Sequence, residues 1–242
     1  MRAVLCGANG AMGKLIDGIL GSEVVGRVSI DGENNVPKTF AELGKVNADI
    51  IIDFSHHSAI ADVIAYAKEN NLSIVVGTTG HTEAEKALIF AAAKELPVFY
   101  SGNMSLGIAV LCRIAKEAAS FFPDADIEIV ETHHTRKVDA PSGTAKMLFH
   151  AIKEVRPNAT ENCGRSGEGK RTRDEIGIHA LRLGNVVGIH EVHIHTGSQS
   201  LTLKHEAHTR AMLADGAVVA ARFMEGKGAG LYTMTELLEE QA

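Results

Sequence analysis

The segment ETHHTRKVDAPSGTA, residues 131–145, sets two adjacent histidines and an Arg-Lys pair just ahead of a Pro-Ser-Gly-Thr run. Histidine and lysine can carry a proton to a reacting carbon when the site tunes them to working pH. Pro141 and Ser142 read as the beginning of a helix with Ser142 as its N-cap, and the amides of Gly143 and Thr144 near its first turn would form a seat for a carboxylate or phosphate. Arg136 and Lys137 add positive charge nearby. In the preceding DIEIVETHH, strand alternation puts Glu131 and His133 on one face and turns His134 to the other. Each residue alone has a structural explanation, since capping accounts for Ser142 and solvent for Arg136. Together they describe an anion pocket with a proton donor beside it.

A second constellation lies near the N-terminus. VLCGANGAMGKLIDGIL places Gly7, Gly10 and Gly13 directly after an apolar strand and at the opening of a helix. Glycines there permit a tight turn, close approach of backbone to a pyrophosphate, and close packing of helix on strand. The whole loop Gly7, Ala8, Asn9, Gly10, Ala11, Met12 and Gly13 is therefore a candidate dinucleotide seat. Asp31, roughly 20 residues downstream, suits the ribose hydroxyls of such a ligand. It would repel a 2′-phosphate, and Gly32 and Glu33 supply no adjacent cation, although Lys14 or Lys38 could compensate in part. Both NADH and NADPH are thus expected as cofactors, with NADH at least as good. Gly77, Thr78 and Thr79 of GTTG, and Ser101, Gly102, Asn103 and Met104 of SGNM, follow later strands where nicotinamide-contacting loops belong.

The elements that must hold these residues are readable. Through residue 100, short apolar runs (2–7, 24–30, 49–55, 73–80, 97–100) alternate with helical spacing at 57–70 and 82–95, the pattern of a parallel sheet flanked by helices. The stretch from Gly32 to Asp49 is too short for a full helical crossover. After a long apolar helix at 106–122 come longer alternating strands at 126–134, 175–184, 185–197 and 200–208, with a helix at 144–155. A final helix is expected from Asp215, as N-cap, to the glycines near 228. The fold class is therefore α/β: an N-terminal Rossmann-type parallel sheet (1–103, with 213–242 returning to it) and a C-terminal α+β domain with an open mixed sheet (104–212). The loop 162–175, rich in glycine and basic residues, reads as mobile.

Composition narrows the partners. The formal net charge of −6 argues against general nucleic-acid binding, which favours basic surfaces. The three cysteines are widely separated, no apolar run has transmembrane length, and the N-terminus shows no leader pattern. A cytoplasmic protein without a membrane partner is expected. Of the twelve histidines, His190, His193 and His195 invite a metal reading, but no third ligand is fixed by spacing and no metal is expected.

EIVETHHTRKVDAPSGTA closely resembles the signature of dihydrodipicolinate reductases, and GANGAMG, IDFSHH, GTTG and SGNMSLG match that family in order along nearly the whole chain. The resemblance implies reduction of a dihydropyridine dicarboxylate to tetrahydrodipicolinate in diaminopimelate and lysine synthesis. It implies His133 and Lys137 as proton-donating residues, and His134, Gly143 and Thr144 as holders of a substrate carboxylate. It also implies a homotetramer built on the C-terminal domain; apolar Val187, Ile189, Val192 and Ile194 are expected to pack those sheets between subunits. Competing readings are another amino-acid dehydrogenase, a metal-dependent hydrolase, and a dinucleotide-binding regulator without catalysis.

Overall fold

The computed structural model describes residues 1–241. From the N-terminus run β1 (Ala3–Cys6), α1 (Ala11–Leu20), β2 (Val24–Val28), α2 (Phe40–Leu43), β3 (Ile50–Asp53), α3 (Ile60–Asn70), β4 (Ser73–Val76), α4 (Glu83–Ala92) and β5 (Pro97–Tyr100). Then come α5 (Leu106–Phe121), β6 (Asp126–His133), α6 (Gly143–Lys153), β7 (Thr160–Cys163), β8 (Glu175–Arg182), β9 (Gly188–His195) and β10 (Ser200–Ala207). The chain ends with α7 (Ala211–Phe223), β11 (Gly230–Tyr232) and α8 (Met234–Gln241). These form two compact units: Met1–Ser105 with the segment that begins at Ala211, and Leu106–Arg210.

The first unit holds a parallel sheet ordered β11-β5-β4-β3-β1-β2. Its inner strands β1 and β3 are buried on both faces and expose no residue, and Val4, Ile51, Ile74 and Val98 share one core with residues of α3 and α4. The chain leaves β1 outward to β2 and then crosses back to β3. The C-terminal ends of β1 and β3 thus form the switch point where ligands of such sheets bind. Between β2 and β3 only a 3₁₀ turn (Glu33–Asn35) and the four-residue α2 fit, in line with the short connection.

The second unit holds a mixed sheet ordered β10-β9-β6-β8-β7, with β6 at its centre, parallel to β8 and antiparallel to β9. One face carries Ile127 and Ile129 of β6, Ile176 and Ile178 of β8, and Val192 and Ile194 of β9. They pack on Ile108 and Leu111 of α5 and on Leu148 and Ile152 of α6. Toward the C-terminal end of β6 this same face changes from apolar to Glu131 and His133, opposite His190 on β9 and Arg182 on β8. The sheet therefore builds core at one end and presents chemistry at the other. Among the described residues, no helix is long and apolar enough to cross a membrane.

Several expectations are corrected. Val192 and Ile194 face the helices of their own unit rather than an uncovered sheet. The opposite face carries Glu128, Val130, Glu191 and His193, half-buried, and His195, exposed. The last long helix begins at Ala211, so Asp215 lies inside it and is not a cap. Ala211–Ala214 are good helix formers, and Gly216 sits within the helix because its backbone abuts the Met104 carbonyl. β2 stops at Val28: the Gly32 amide bonds Ser29 O at 3.0 Å in a turn, leaving Ile30 86% exposed and Asp31 beyond the strand. β7, with sequence TENC, is a polar edge strand without an apolar pattern to reveal it. Within the basic loop 162–175, Arg171 bonds Asp126, Glu128 and the carbonyl of Ile127.

Candidate active site

The centre of the second unit's site is Glu131, whose side chain has no solvent exposure. Its Oε2 accepts a hydrogen bond from His133 Nδ1 at 2.5 Å and one from Arg182 at 2.9 Å. Its Oε1 accepts from Arg182, also at 2.9 Å, and from the Ser142 amide at 3.0 Å. One carboxylate thus ties together the end of β6, the end of β8 and the start of α6. Burial pushes the Glu131 carboxyl up, but the hydrogen bonds from His133, Arg182 and Ser142 outweigh it and hold the group down at about 2. His133 is 9% exposed at the strand end.

His190 completes this cluster from β9. Its ring meets that of His133 edge-on, with centroids 5.1 Å apart, and its Nε2 lies 3.3 Å from Ser142 Oγ. Burial, then the neighbouring His133, pushes His190 down to about 3, so it is neutral across the working range. Ser142 caps α6 by accepting from the Ala145 amide at 3.2 Å. The amides of Gly143 and Thr144 precede the first intrahelical bond, from Lys146 N to Ser142 O. A Cβ added at Gly143 would meet nothing within 4 Å, so no side chain crowds that residue of the helix start.

The turn after β6 is set by its own backbone bonds, Lys137 N to His134 O and Thr135 N to Gly184 O, both 3.1 Å. Lys137 pairs with Asp139 at 2.8 Å, and this bond holds the Asp139 carboxyl below its ordinary range. Arg136 turns away to Asn185. His134 Nε2 accepts from Arg210 at 3.1 Å, and burial lowers its basicity, followed by the nearby Arg136 and Arg210. Sequence reasoning missed Arg182, Arg210 and the role of His190. Arg182 carried one signal: it is a cation on the core-facing parity of β8, after Ile176, Ile178 and Ala180.

In the first unit Gly7 has φ +84°, and a Cβ there would lie 2.2 Å from the Phe54 carbonyl oxygen. A Cβ on Gly13 would lie 2.2 Å from Gly7 O, so α1 starts against the loop only because 13 is glycine. No side chain caps α1, which leaves the amides of Ala11, Met12 and Gly13 ahead of the bond from Lys14 N to Gly10 O. That bare cradle fits a pyrophosphate. Beside it opens a cleft of about 1220 Å³ lined by Gly7, Gly10 and Asp31 together with Lys38, Lys45 and His56. Asp31 Oδ1 accepts from Asn9 Nδ2 at 2.5 Å and from Glu33 N at 3.1 Å, and these bonds depress its carboxyl.

Ala8, Asn9, Ala11, Met12 and Gly13 belong to the loop and first helical turn but do not line the cleft. Neither do Gly77, Thr78 and Thr79, although Thr78 Oγ1 joins them to the β3 end by accepting from Ser55 N at 2.9 Å. Ser101 and Asn103 form a closed turn, Ser101 Oγ donating to Asn103 O at 2.7 Å. Gly102 is exposed and Met104 is buried. Among the described residues no three His, Cys, Asp or Glu side chains are grouped to hold a metal ion. His193 and His195 bond Thr202 and Ser200 on the open face, while His190 points to the other.

Comparison with known proteins bears on this pair of sites. The family profile for the N-terminus of dihydrodipicolinate reductase matches residues 1–104, and that for its C-terminus matches residues 107–238. The chain belongs to the dihydrodipicolinate reductase family. It is 39% identical over 249 residues to the 4-hydroxy-tetrahydrodipicolinate reductase of Clostridium novyi (strain NT), covering 99% of each chain. To the enzyme of that name from Caldanaerobacter subterraneus subsp. tengcongensis it is 41% identical over 251 residues, again covering 99% of each. Among solved structures it resembles a dipicolinate-bound dihydrodipicolinate reductase from Paenisporosarcina sp. TG-14. There the TM-score is 0.77 at 23% identity, over 96% of this chain and 97% of that one. As a member of this family the chain is an oxidoreductase, and its parallel-sheet unit is of the kind that uses NAD(P)H.

The depressed Glu131 carboxyl has a consequence for acid stability. A group whose folded value lies below its unfolded one stabilises the fold above the unfolded value and loses that contribution as pH falls. For Glu131 the loss runs from its ordinary 4.5 down to about 2. Acid unfolding followed by circular dichroism should therefore be less steep across this window in Glu131→Gln. An identical acid limb in parent and variant would contradict the assignment.

Proposed function

We propose that the chain reduces the dihydropyridine dicarboxylate derived from 4-hydroxy-tetrahydrodipicolinate to tetrahydrodipicolinate, with NADH or NADPH, in diaminopimelate and lysine synthesis. The observation that carries this reading is the Glu131 bridge, which joins a proton-carrying imidazole to the start of α6 at Ser142. A flat dianion needs both: a seat for carboxylate and an acid beside it. Residues 1–103 and 213–242 act as the dinucleotide-binding domain, and 104–212 as the substrate and oligomerisation domain.

The bare amides after Gly10 and the Asp31 carboxylate would hold the cofactor's pyrophosphate and ribose, together with the loops at Gly77–Thr79 and Ser101–Met104. When bound, the cofactor supplies hydride to one carbon of the conjugated imine. The chain's own residues do the rest. Gly143 and Thr144, with His134, take up a substrate carboxylate, and Arg210 beside His134 adds charge to the same end. His133 delivers a proton to the carbon next to the one reduced, and Lys137 supports that transfer from the turn above Asp139. A cytoplasmic location belongs to this reading, supported by three cysteines that are all free.

For the cofactor, NADH should be at least as good as NADPH. Asp31 presents an anion to the cleft, while Lys38, which packs over Gly32, and Lys45 allow NADPH to bind as well. A tenfold or greater preference for NADPH, about 1.4 kcal/mol, would contradict this. The chain should assemble as a homotetramer through the face of the second sheet that bears Glu128, Glu191 and His193. Light scattering that returned a stable, fully active monomer would remove that proposal.

Substitutions separate binding from chemistry. Thr144→Val should chiefly raise KM, because it removes contact shared by ground and transition states. His133→Gln and Lys137→Ala should instead depress kcat, by roughly 10²-fold or more. Pyridine-2,6-dicarboxylate should compete with substrate in the parent and less well in Thr144→Val. Cofactor affinity, read by calorimetry, should survive all three changes. Full kcat in the His133 and Lys137 variants would mean that the cluster is structural.

A further inference from the structure

We infer that Glu131, clamped by Arg182 and the Ser142 amide, is the positioning residue that fixes His133 with Nδ1 protonated toward the interior and Nε2 as its only proton-exchanging atom. The inference rests on the reading of His133 as the acid and assigns to the protein the means by which that acid is aimed.

The geometry leaves Glu131 little freedom. Its four hydrogen bonds come from three directions, and the two from Arg182 are bidentate, which sets the plane of the carboxylate. A carboxylate accepts and does not donate, so Nδ1 must carry hydrogen to make the 2.5 Å bond. Arg182 keeps the carboxylate ionised, so the His133 proton is not drawn onto it. The other ring nitrogen lies on the side of Gly188, where a Cβ would stand only 3.1 Å from Nε2. Glycine at 188 thus keeps a side chain from crowding the working nitrogen. The remaining charged or titratable neighbours are His190, neutral by burial, and His134, Lys137 and Asp139 of the turn.

The proton balance is simple. The imidazolium gives its Nε2 proton to the substrate carbon, whose electron pair forms the new C–H bond. Nε2 keeps its lone pair, Nδ1–H stays on Glu131, and solvent later restores the Nε2 proton. Glu131 never exchanges a proton; it orients the ring and fixes its tautomer, as carboxylates do for catalytic histidines elsewhere.

The test uses the full-length protein with ¹⁵N-labelled histidine. Long-range ¹H–¹⁵N correlation at alkaline pH should show neutral His133 as the Nδ1–H tautomer; the Nε2–H tautomer in the parent would overturn the inference without any variant. Glu131→Gln should lower kcat by roughly tenfold to a hundredfold while KM and NADH affinity stay within about twofold. In a His133→Gln background the same change should lower kcat no further, because its effect acts through that ring. An equal loss in both backgrounds would indicate general damage and overturn the inference. Full kcat in His133→Gln alone would overturn the reading of His133 as acid. Loss there with Glu131→Gln unimpaired would overturn only the positioning role.

Discussion

An ionised carboxylate removed wholly from water is costly, several kcal/mol, unless its lone pairs are met. Glu131 meets that condition only when the ends of β6 and β8 and the start of α6 are all in place. The constraint runs both ways. The three elements converge on the carboxylate, and the carboxylate enforces their convergence. Loss of one donor leaves buried charge uncompensated, which is more damaging than never having built the pair. The site's geometry therefore depends on a buried carboxylate whose partners come from three separate elements.

The two units each carry a helix start that the proposed function uses for an anion. In the first unit no side chain caps α1 after the glycine loop, and in the second α6 begins after Ser142, whose side chain takes up the Ala145 amide. Backbone dipoles can hold phosphate and carboxylate without a large basic surface, which is compatible with a chain of formal net charge −6. Side-chain cations are then kept for defined tasks. Arg182 serves Glu131, Lys137 pairs with Asp139, and Arg210 meets His134.

Much of this was legible in the sequence. Period-two alternation placed Glu131 and His133 on one face, and Ser142 announced the helix it caps. The spacing of Gly7, Gly10 and Gly13 located the cradle. What was hidden depended on register between distant segments. Arg182 reaches Glu131 because β6 pairs in parallel with β8, bringing Arg182 level with His133. His190 arrives by the antiparallel pairing of β9 opposite Glu131. Strand parity singles out Arg182 as a cation on the core-facing side of β8, but no local pattern names Glu131 as its partner or brings His190 to it. Val192 and Ile194 were misread for a related reason: alternation shows that they share a face, not which face the helices cover. Asp215 has the residue type of an N-cap, whereas α7 begins at Ala211 and runs through it.

The central claim is that this chain reduces a dihydropyridine dicarboxylate with a reduced nicotinamide cofactor. The most direct measurement follows reduced-nicotinamide absorbance when purified protein meets freshly generated dihydrodipicolinate. The account predicts rapid, substrate-dependent oxidation of NADH with tetrahydrodipicolinate as product. Protein that binds NADH normally, yet oxidises neither NADH nor NADPH in the presence of that substrate, would contradict it.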